Sequence, residues 1–202
     1  MDYMKAKRLL DKYRINSTEC IYVDDSSSAV NFAKSDAIAL KVISNKSIHK
    51  TKEHLIELNL KGRDEIEKAF TELKTRGRRF SPYKMLAQKM EEPGVEIIMG
   101  GTVDEQFGKV VMVGLGGIYV ETFKDAALRL CPISRYDAYE MLAQLRSRQI
   151  ITFNDKATKM LVLLLLKFSH MFEESDRIRE IDLNPVIVRQ RSYSAVDIRI
   201  MV

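Results

Sequence analysis

Val95-Glu96-Ile97-Ile98-Met99-Gly100-Gly101-Thr102 and Val110-Val111-Met112-Val113 are two apolar runs, and the stretch from Asp104 to Gly108 separates them. Pro93-Gly94 punctuates the chain just before the first run. Short runs of this kind, bounded by Gly, Pro and Asp, read as successive strands joined by tight turns. The pattern extends outward from this pair. Met85 to Met90 reads as a strand upstream. Ala126 to Leu130 adds one downstream, and Val186 to Arg189 and Tyr193 to Met201 supply two more. Helices fall between them: Ser134 caps one from Tyr136 to Leu145, and Asp155 opens a long one to Phe172. The result is mixed α+β with many antiparallel neighbours, not a regular βαβ alternation.

The first half differs in character. Tyr3 to Tyr13 reads as a helix, with Met4, Leu9, Leu10 and Tyr13 on one face. Cys20 to Val23 is a short strand, and Asp24-Asp25-Ser26 supplies N-cap chemistry for a helix carrying Ala29, Val30 and Phe32. Ala37 to Ile43 is an apolar run with one lysine inside it, and His54 to Leu60 alternates as a strand beside it. Arg63 to Thr75 reads as a helix capped near Asp64. A lobe boundary is expected near residues 76–84, dividing the chain into lobes 1–80 and 81–202.

Composition bounds the class. The 202 residues are 46% hydrophobic and 30% charged, enough for a buried core and unlike a disordered chain. Met1-Asp2-Tyr3-Met4-Lys5 lacks the apolar core of a signal peptide. The longest apolar run, Met160 to Leu166, falls well short of the about 20 residues a membrane span needs, so no membrane partner is expected. Cys20 and Cys131 show no metal or redox spacing, which suits two inert thiols in a reducing cytoplasm. Lys74-Thr75-Arg76-Gly77-Arg78-Arg79 contributes to a net charge of +5 and is either a phosphate-facing cluster or a solvated loop. No basic strand interleaved with aromatics is present, so no nucleic-acid partner is expected. Neither a GxGxxG at a strand-to-helix junction nor a Walker A sequence occurs.

Four places invite chemistry. Asn184, in Glu180-Ile181-Asp182-Leu183-Asn184-Pro185, and Asp197 on the last strand offer two hard oxygen ligands, which with nucleotide phosphates make a Mg²⁺ site. The plainer reading is an Asx turn before Pro185 and a surface aspartate. Gly114-Leu115-Gly116-Gly117 follows an apolar strand and either lets backbone approach a phosphate or forms a tight turn. Lys41, inside Leu40-Lys41-Val42-Ile43, either meets an anion or faces solvent from an edge strand. His49, in a polar loop beside Lys50, is either a phosphoryl acceptor or a surface histidine.

These segments together resemble the ATP-grasp subunit of ADP-forming acetyl-CoA (acyl-CoA) synthetases. The resemblance runs through Gly94-Val95-Glu96-Ile97-Ile98-Met99-Gly100, Gln106-Phe107-Gly108, Val111 to Glu121, Lys124-Asp125, Arg129 and Pro132-Ile133-Ser134-Arg135. It continues through Ile181-Asp182-Leu183-Asn184-Pro185-Val186-Ile187-Val188 and Ala195-Val196-Asp197, and in the amino half through Leu40 to Ser44 and Ile48-His49-Lys50. It implies an ATP-grasp fold, two α+β lobes clamping a nucleotide. The family interconverts acyl-CoA, ADP and phosphate with the free acid, CoA and ATP, passing a phosphoryl group on histidines. The resemblance implies that Lys41, Gln88, Met90 and Glu96 contact the nucleotide and Gly116 and Gly117 form a phosphate loop. It further implies that Asn184 and Asp197 hold Mg²⁺, that Arg129 neutralises the transferring phosphate and that His49 carries it. ATP or ADP and Mg²⁺ are the expected cofactors. A chain of this length has no room for the CoA-binding domains, so a separate CoA-binding alpha subunit and a hetero-oligomer are expected.

The chain departs from the family's pattern. Where a Ser-Asp-Val-Gly-Gly-Val type loop is usual, Thr51-Lys52-Glu53-His54-Leu55-Ile56 stands, a bulky loop not expected to copy glycine's backbone geometry. Lys89 replaces a usual glutamate, and a lysine cannot accept the hydrogen bonds a ribose would offer. Arg14 and Asn16 stand near a helix start where glycine and proline are usual, and the stretch between Ile151 and Asp155 is short. Two functions follow: an active ligase subunit, or a nucleotide-binding or scaffold subunit with weakened phosphoryl transfer.

Overall fold

Thr18–Glu91 and the remainder, Met1–Ser17 with Glu92–Val202, form separate units in the computed structural model, which describes residues 1–44, 54–116 and 125–202. The expected boundary at residues 80 and 81 is therefore displaced. The strand that follows it belongs by hydrogen bonding to the first sheet, and the first helix belongs to the second unit.

In the Thr18–Glu91 unit, β1 (Cys20–Val23), β2 (Ile38–Ile43), β3 (Ile56–Leu60) and β4 (Lys84–Lys89) make an antiparallel sheet of order β1-β4-β2-β3. Two helices cover one face. Asp25 caps the first, α2 (Ser26–Ala33), its carboxylate accepting from the Ser28 amide at 2.7 Å. The second, α3 (Gly62–Gly77), starts after Lys61, whose amide donates to the Glu65 carboxylate at 2.8 Å; Asp64 is not the cap. Ile38, Leu40 and Val42 of β2 and Met85 and Ala87 of β4 form one core with Ala29 and Ala33 of α2 and Ile66, Phe70 and Leu73 of α3. Because strand side chains alternate between faces, Ala39 and Lys41 of β2 and Leu86 and Gln88 of β4 lie on the opposite face. Arg76 of the basic cluster is bound to Glu57 at 2.6 Å and Glu72 at 2.8 Å, so this cation serves α3 and β3 on the surface.

The other unit holds α1 (Tyr3–Lys12), β5 (Val95–Asp104), β6 (Gly108–Leu115), β7 (Ala126–Leu130), α4 (Arg135–Gln144), α5 (Arg148–Ile151), α6 (Asp155–Glu173), β8 (Glu180–Val188), β9 (Tyr193–Ala195) and β10 (Ile198–Met201). Its strands run in the order β10-β8-β5-β6-β7, with β9 paired to β8. The hairpin read first, β5–β6, pairs from Ile97 with Leu115 to Asp104 with Gly108. Ser134 and Asp137 form a reciprocal capping box on α4, and Asn154 caps α6 by accepting from the Ala157 amide at 2.8 Å. The long helix is the core's spine: Leu161, Leu164, Leu165, Phe168 and Phe172 are buried along it. Full burial of each such side chain contributes about 1.5–3 kcal/mol. Among the described residues no helix is long and apolar enough to cross a membrane.

Arg14 lies just past the end of α1, not at a helix start, with φ of 55°. This left-handed conformation is where helices favour glycine, and it costs an L-residue about 1–2 kcal/mol. The Arg14 carbonyl accepts from Lys167 at 2.8 Å, a bond glycine retains. Arg14→Gly is therefore expected to stabilise the protein by up to about 1 kcal/mol, raising Tm by about 2–4 °C in a thermal melt. A lower Tm would show that the arginine side chain supplies more than its backbone costs.

Candidate functional site

Lys41 occupies an interior strand, paired with Leu86 of β4 on one side and Ile56 of β3 on the other. It is 3% exposed, which rules out the solvent-facing edge reading. Gln88 is 1% exposed and pairs with Ala39 and Cys20, so it stands diagonally from Lys41 on the face away from α2 and α3. Met90 follows, its amide donating to the Ala37 carbonyl at 3.1 Å. A buried cation and a buried amide on one sheet face are chemistry suited to anionic and hydrogen-bonding ligands. Lys89 points the other way. Its ammonium donates to the Ala33 carbonyl at 2.9 Å and to Asp36 at 2.8 Å, on the α2 side.

In the second unit the same parity argument applies. Ile97, Met99, Leu183, Val186 and Ile198 are buried under the helices, so Glu96, Asp182, Asn184 and Asp197 belong to the opposite face. Asn184 lies inside β8, not in a turn before a shorter strand. The expected single last strand is broken into β9 and β10 at Val196 and Asp197. Opposite Ile98 the register slips, so that Asn184 and Pro185 together face one residue of β5. A bulge of this kind re-aims side chains and ends regular pairing. The Asn184 amide donates to the Asp197 carbonyl at 3.2 Å, and the Val196 amide donates to the Pro185 carbonyl at 2.9 Å. These bonds set Asn184, exposed, beside Asp197, half-buried. An amide oxygen and a carboxylate fit Mg²⁺, which takes one or two protein oxygens and completes its octahedron with phosphate and water.

Glu96 is exposed, and its carbonyl accepts from the Gly116 amide at 2.7 Å. A Cβ at position 116 would lie 2.9 Å from the Glu96 carbonyl carbon, so glycine is required here for the chain's own close approach. His49 and Gly117 lie outside the described residues. Arg129 donates to the Leu128 carbonyl at 2.8 Å and to Gln144 at 3.1 Å. Paired with buried Val111, it stands on the helix side, grouped with α4 and not with Asn184 and Asp197.

Asp125 has a structural task. Its carboxylate accepts from the Arg146 amide at 2.8 Å and the Ser147 amide at 2.7 Å, tying the start of β7 to the α4–α5 turn. Burial pushes its pKa up, but the hydrogen bonds from Ser147 and Arg146 outweigh this and hold it below the usual carboxylate value. The stabilisation is therefore present above the unfolded pKa and lost as pH falls through the folded one. Asp125→Asn is expected to cost about 1–2 kcal/mol at neutral pH. Denaturant titrations should show this gap closing as the pH drops below about 4; a gap independent of pH would exclude the ionised carboxylate as its source.

Asp182 is the residue the sequence reading passed over. It pairs with Gly100 on one side and Arg199 on the other, on the face of Asn184 and Asp197. The alternation Asp182, Asn184 within one apolar strand was the available signal.

Two antiparallel α+β units, one bearing a buried lysine and the other an Asn–Asp pair on the sheet face opposite its buried apolar residues, define the class. The chain belongs to the ATP-grasp family, whose domain model matches residues 1–202. It is 32% identical to the beta subunit of acetate–CoA ligase [ADP-forming] II from Pyrococcus furiosus, over 95% of this chain and 86% of that one. It is 35% identical to acetate–CoA ligase [ADP-forming] II of Archaeoglobus fulgidus, over 98% of this chain but only 30% of that longer protein. The solved dinucleotide forming acetyl-coenzyme A synthetase 1 of Ca. Korarchaeum cryptofilum superposes in two complexes. That with coenzyme A, Ca-AMPCP and HgCl+ gives a TM-score of 0.90 at 32% identity, covering 98% of this chain and 91% of that one. That with coenzyme A and Mg-AMPPCP, its phosphohistidine segment pointing towards the nucleotide binding site, gives 0.84 at 30% identity, covering 100% and 92%.

Proposed function

We propose that this chain is the nucleotide-binding component of an ADP-forming acyl-CoA synthetase, transferring a phosphoryl group between a histidine and ADP. The observation that carries the reading is the Asn184–Asp197 pairing across the β8 bulge, an Mg²⁺-type oxygen pair on the strand face opposite the buried apolar residues. The nucleotide complexes of the Ca. Korarchaeum cryptofilum enzyme support it. In this reading Asn184 and Asp197 hold Mg²⁺, which when bound neutralises and orients phosphate oxygens. Lys41 binds a phosphate, Gln88, Met90 and Glu96 contact the nucleoside, and Gly116 and Gly117 form a phosphate loop. Arg129, on the helix side of its sheet beside Gln144, stays outside this arrangement. His49 is the acceptor: its ring nitrogen bonds to phosphorus as the bond from phosphorus to the ADP oxygen breaks, and the reverse step makes ATP. Positioning and charge neutralisation supply most of such catalysis.

The CoA-binding alpha subunit is the proposed partner, in a hetero-oligomer, with the cytoplasm as the site of action. A second reading, a nucleotide-binding or scaffold subunit with weakened transfer, is favoured by the replacement of the usual glycines at residues 51–56. One observation counts against it. His54 adopts φ of 53°, the left-handed conformation glycine would take, so the substituted stretch reproduces that backbone at one position.

The test is to co-express the chain with a CoA-binding subunit and incubate the complex with labelled ATP and Mg²⁺. Acid-labile, base-stable label on this chain, absent in His49→Ala, is the expected result. Nucleotide binding without label would select the scaffold reading, and no binding at all would overturn both.

A further inference from the structure

We infer that Lys89 is a positioning residue that holds Gln88 and Met90 in place for the nucleotide, an inference that rests on the nucleotide reading of those two residues. Lys89 is the last residue of β4, and Gln88 and Met90 flank it on the opposite face of the strand. A strand end is the part of a sheet most prone to fray, because its pairing stops there. Here the Lys89 amide donates to the Glu19 carbonyl at 3.0 Å, and the Met90 amide to the Ala37 carbonyl at 3.1 Å.

The side chain adds a third anchor on the other face. Its ammonium lies over the Phe32 ring, 5.1 Å from the centroid. The ammonium donates to the Ala33 carbonyl at the C-terminal end of α2, which also accepts from the Asp36 amide at 2.9 Å, and to the Asp36 carboxylate. Cations at helix C-termini are favourable. The lysine side chain is only 18% exposed. Asp36, held below the usual carboxylate pKa by the Lys89 hydrogen bond and charge, stays ionised at neutral pH. A glutamate at position 89 accepts hydrogen bonds only, and would meet both the carbonyl and Asp36 with repulsion. The lysine therefore fastens β4 to α2 where a glutamate would push it away, and the strand's alternation passes that constraint to its neighbours.

The experiment measures ADP binding to the full chain with Mg²⁺ by calorimetry, beside thermal melts, for Lys89→Met, Lys89→Arg and Asp36→Asn. Arginine can donate to both acceptors. The expected result is an affinity loss of about tenfold for Lys89→Met, as for other outer-layer partners of a site, with Lys89→Arg within about twofold of the parent. Asp36→Asn, changed at a largely exposed position, tests the ion pair without risk to the fold and is expected to fall between them. Affinity unchanged in Lys89→Met, with only Tm lowered, would overturn the inference and leave Lys89 a stabilising contact. Absence of ADP binding by the parent chain would instead overturn the nucleotide reading itself.

Discussion

Replacing Lys41 with methionine is expected to weaken ADP binding by between about tenfold and a hundredfold, because a charge-assisted hydrogen bond to phosphate is worth about 1.5–3 kcal/mol. The same substitution should leave the fold intact. Lys41 is 3% exposed in the middle of a sheet, where a long, flexible apolar side chain of similar reach can occupy the same space. Burying an ammonium carries a desolvation cost, and apolar replacements at such sites are often neutral. Function and stability thus part company. Calorimetry with ADP and a thermal melt on the same preparation check both. Retained binding, or a melt lowered as steeply as the binding, would mean that Lys41 serves the sheet and not the nucleotide.

The second large effect belongs to Asp197. In the parent chain, Mg²⁺ should strengthen nucleotide binding. In Asp197→Asn that gain is expected to shrink by about tenfold to a hundredfold, the usual cost of damaging a metal site. In EDTA the sign should reverse: removing a carboxylate beside the phosphates relieves repulsion, so metal-free binding should hold or improve. Titrating ADP with and without Mg²⁺ for both proteins separates the two effects. An equal loss under both conditions would show a general weakening and remove Asp197 from the metal site.

Much of the fold could be read from local pattern. The β5–β6 hairpin, the α4 cap at Ser134 and the long α6 all announce themselves by turn residues, capping chemistry and apolar period. What could not be read was which strand lies beside which. Residues 84–89 look like a neighbour of the hairpin that follows, yet they hydrogen-bond to β1 and β2, and this moved the boundary to residue 91. Face parity was equally hidden. A one-residue step decides that Gln88 and Lys89 point to opposite sides of β4, so the missing glutamate at position 89 does not touch the face that Gln88 and Lys41 share. At the glycine replacements, His54 takes the left-handed backbone for a reason residue type does not announce. Residue type constrains φ only statistically, and histidine is among the side chains that enter the left-handed region more often than most. The closeness of Asn184 and Asp197 was legible because a short strand pair brings its two ends together; the bulge at Asn184 and Pro185 was not.

The continuous stretch Thr18–Glu91 interrupts a unit whose first helix packs against its last strand. On the ribosome this imposes an order of events. The described strands of the inserted unit all lie within residues 18–91, so it can close once residue 91 has emerged, whereas α1, made before it, must wait for β10, made after it. Throughout that interval the apolar face of α1, with Tyr3, Ala6 and Leu10, has no native surface to cover it. The chain's exposure to chaperones and to aggregation is thus set by the time taken to translate residues 92–201, and slow translation of that stretch would prolong it.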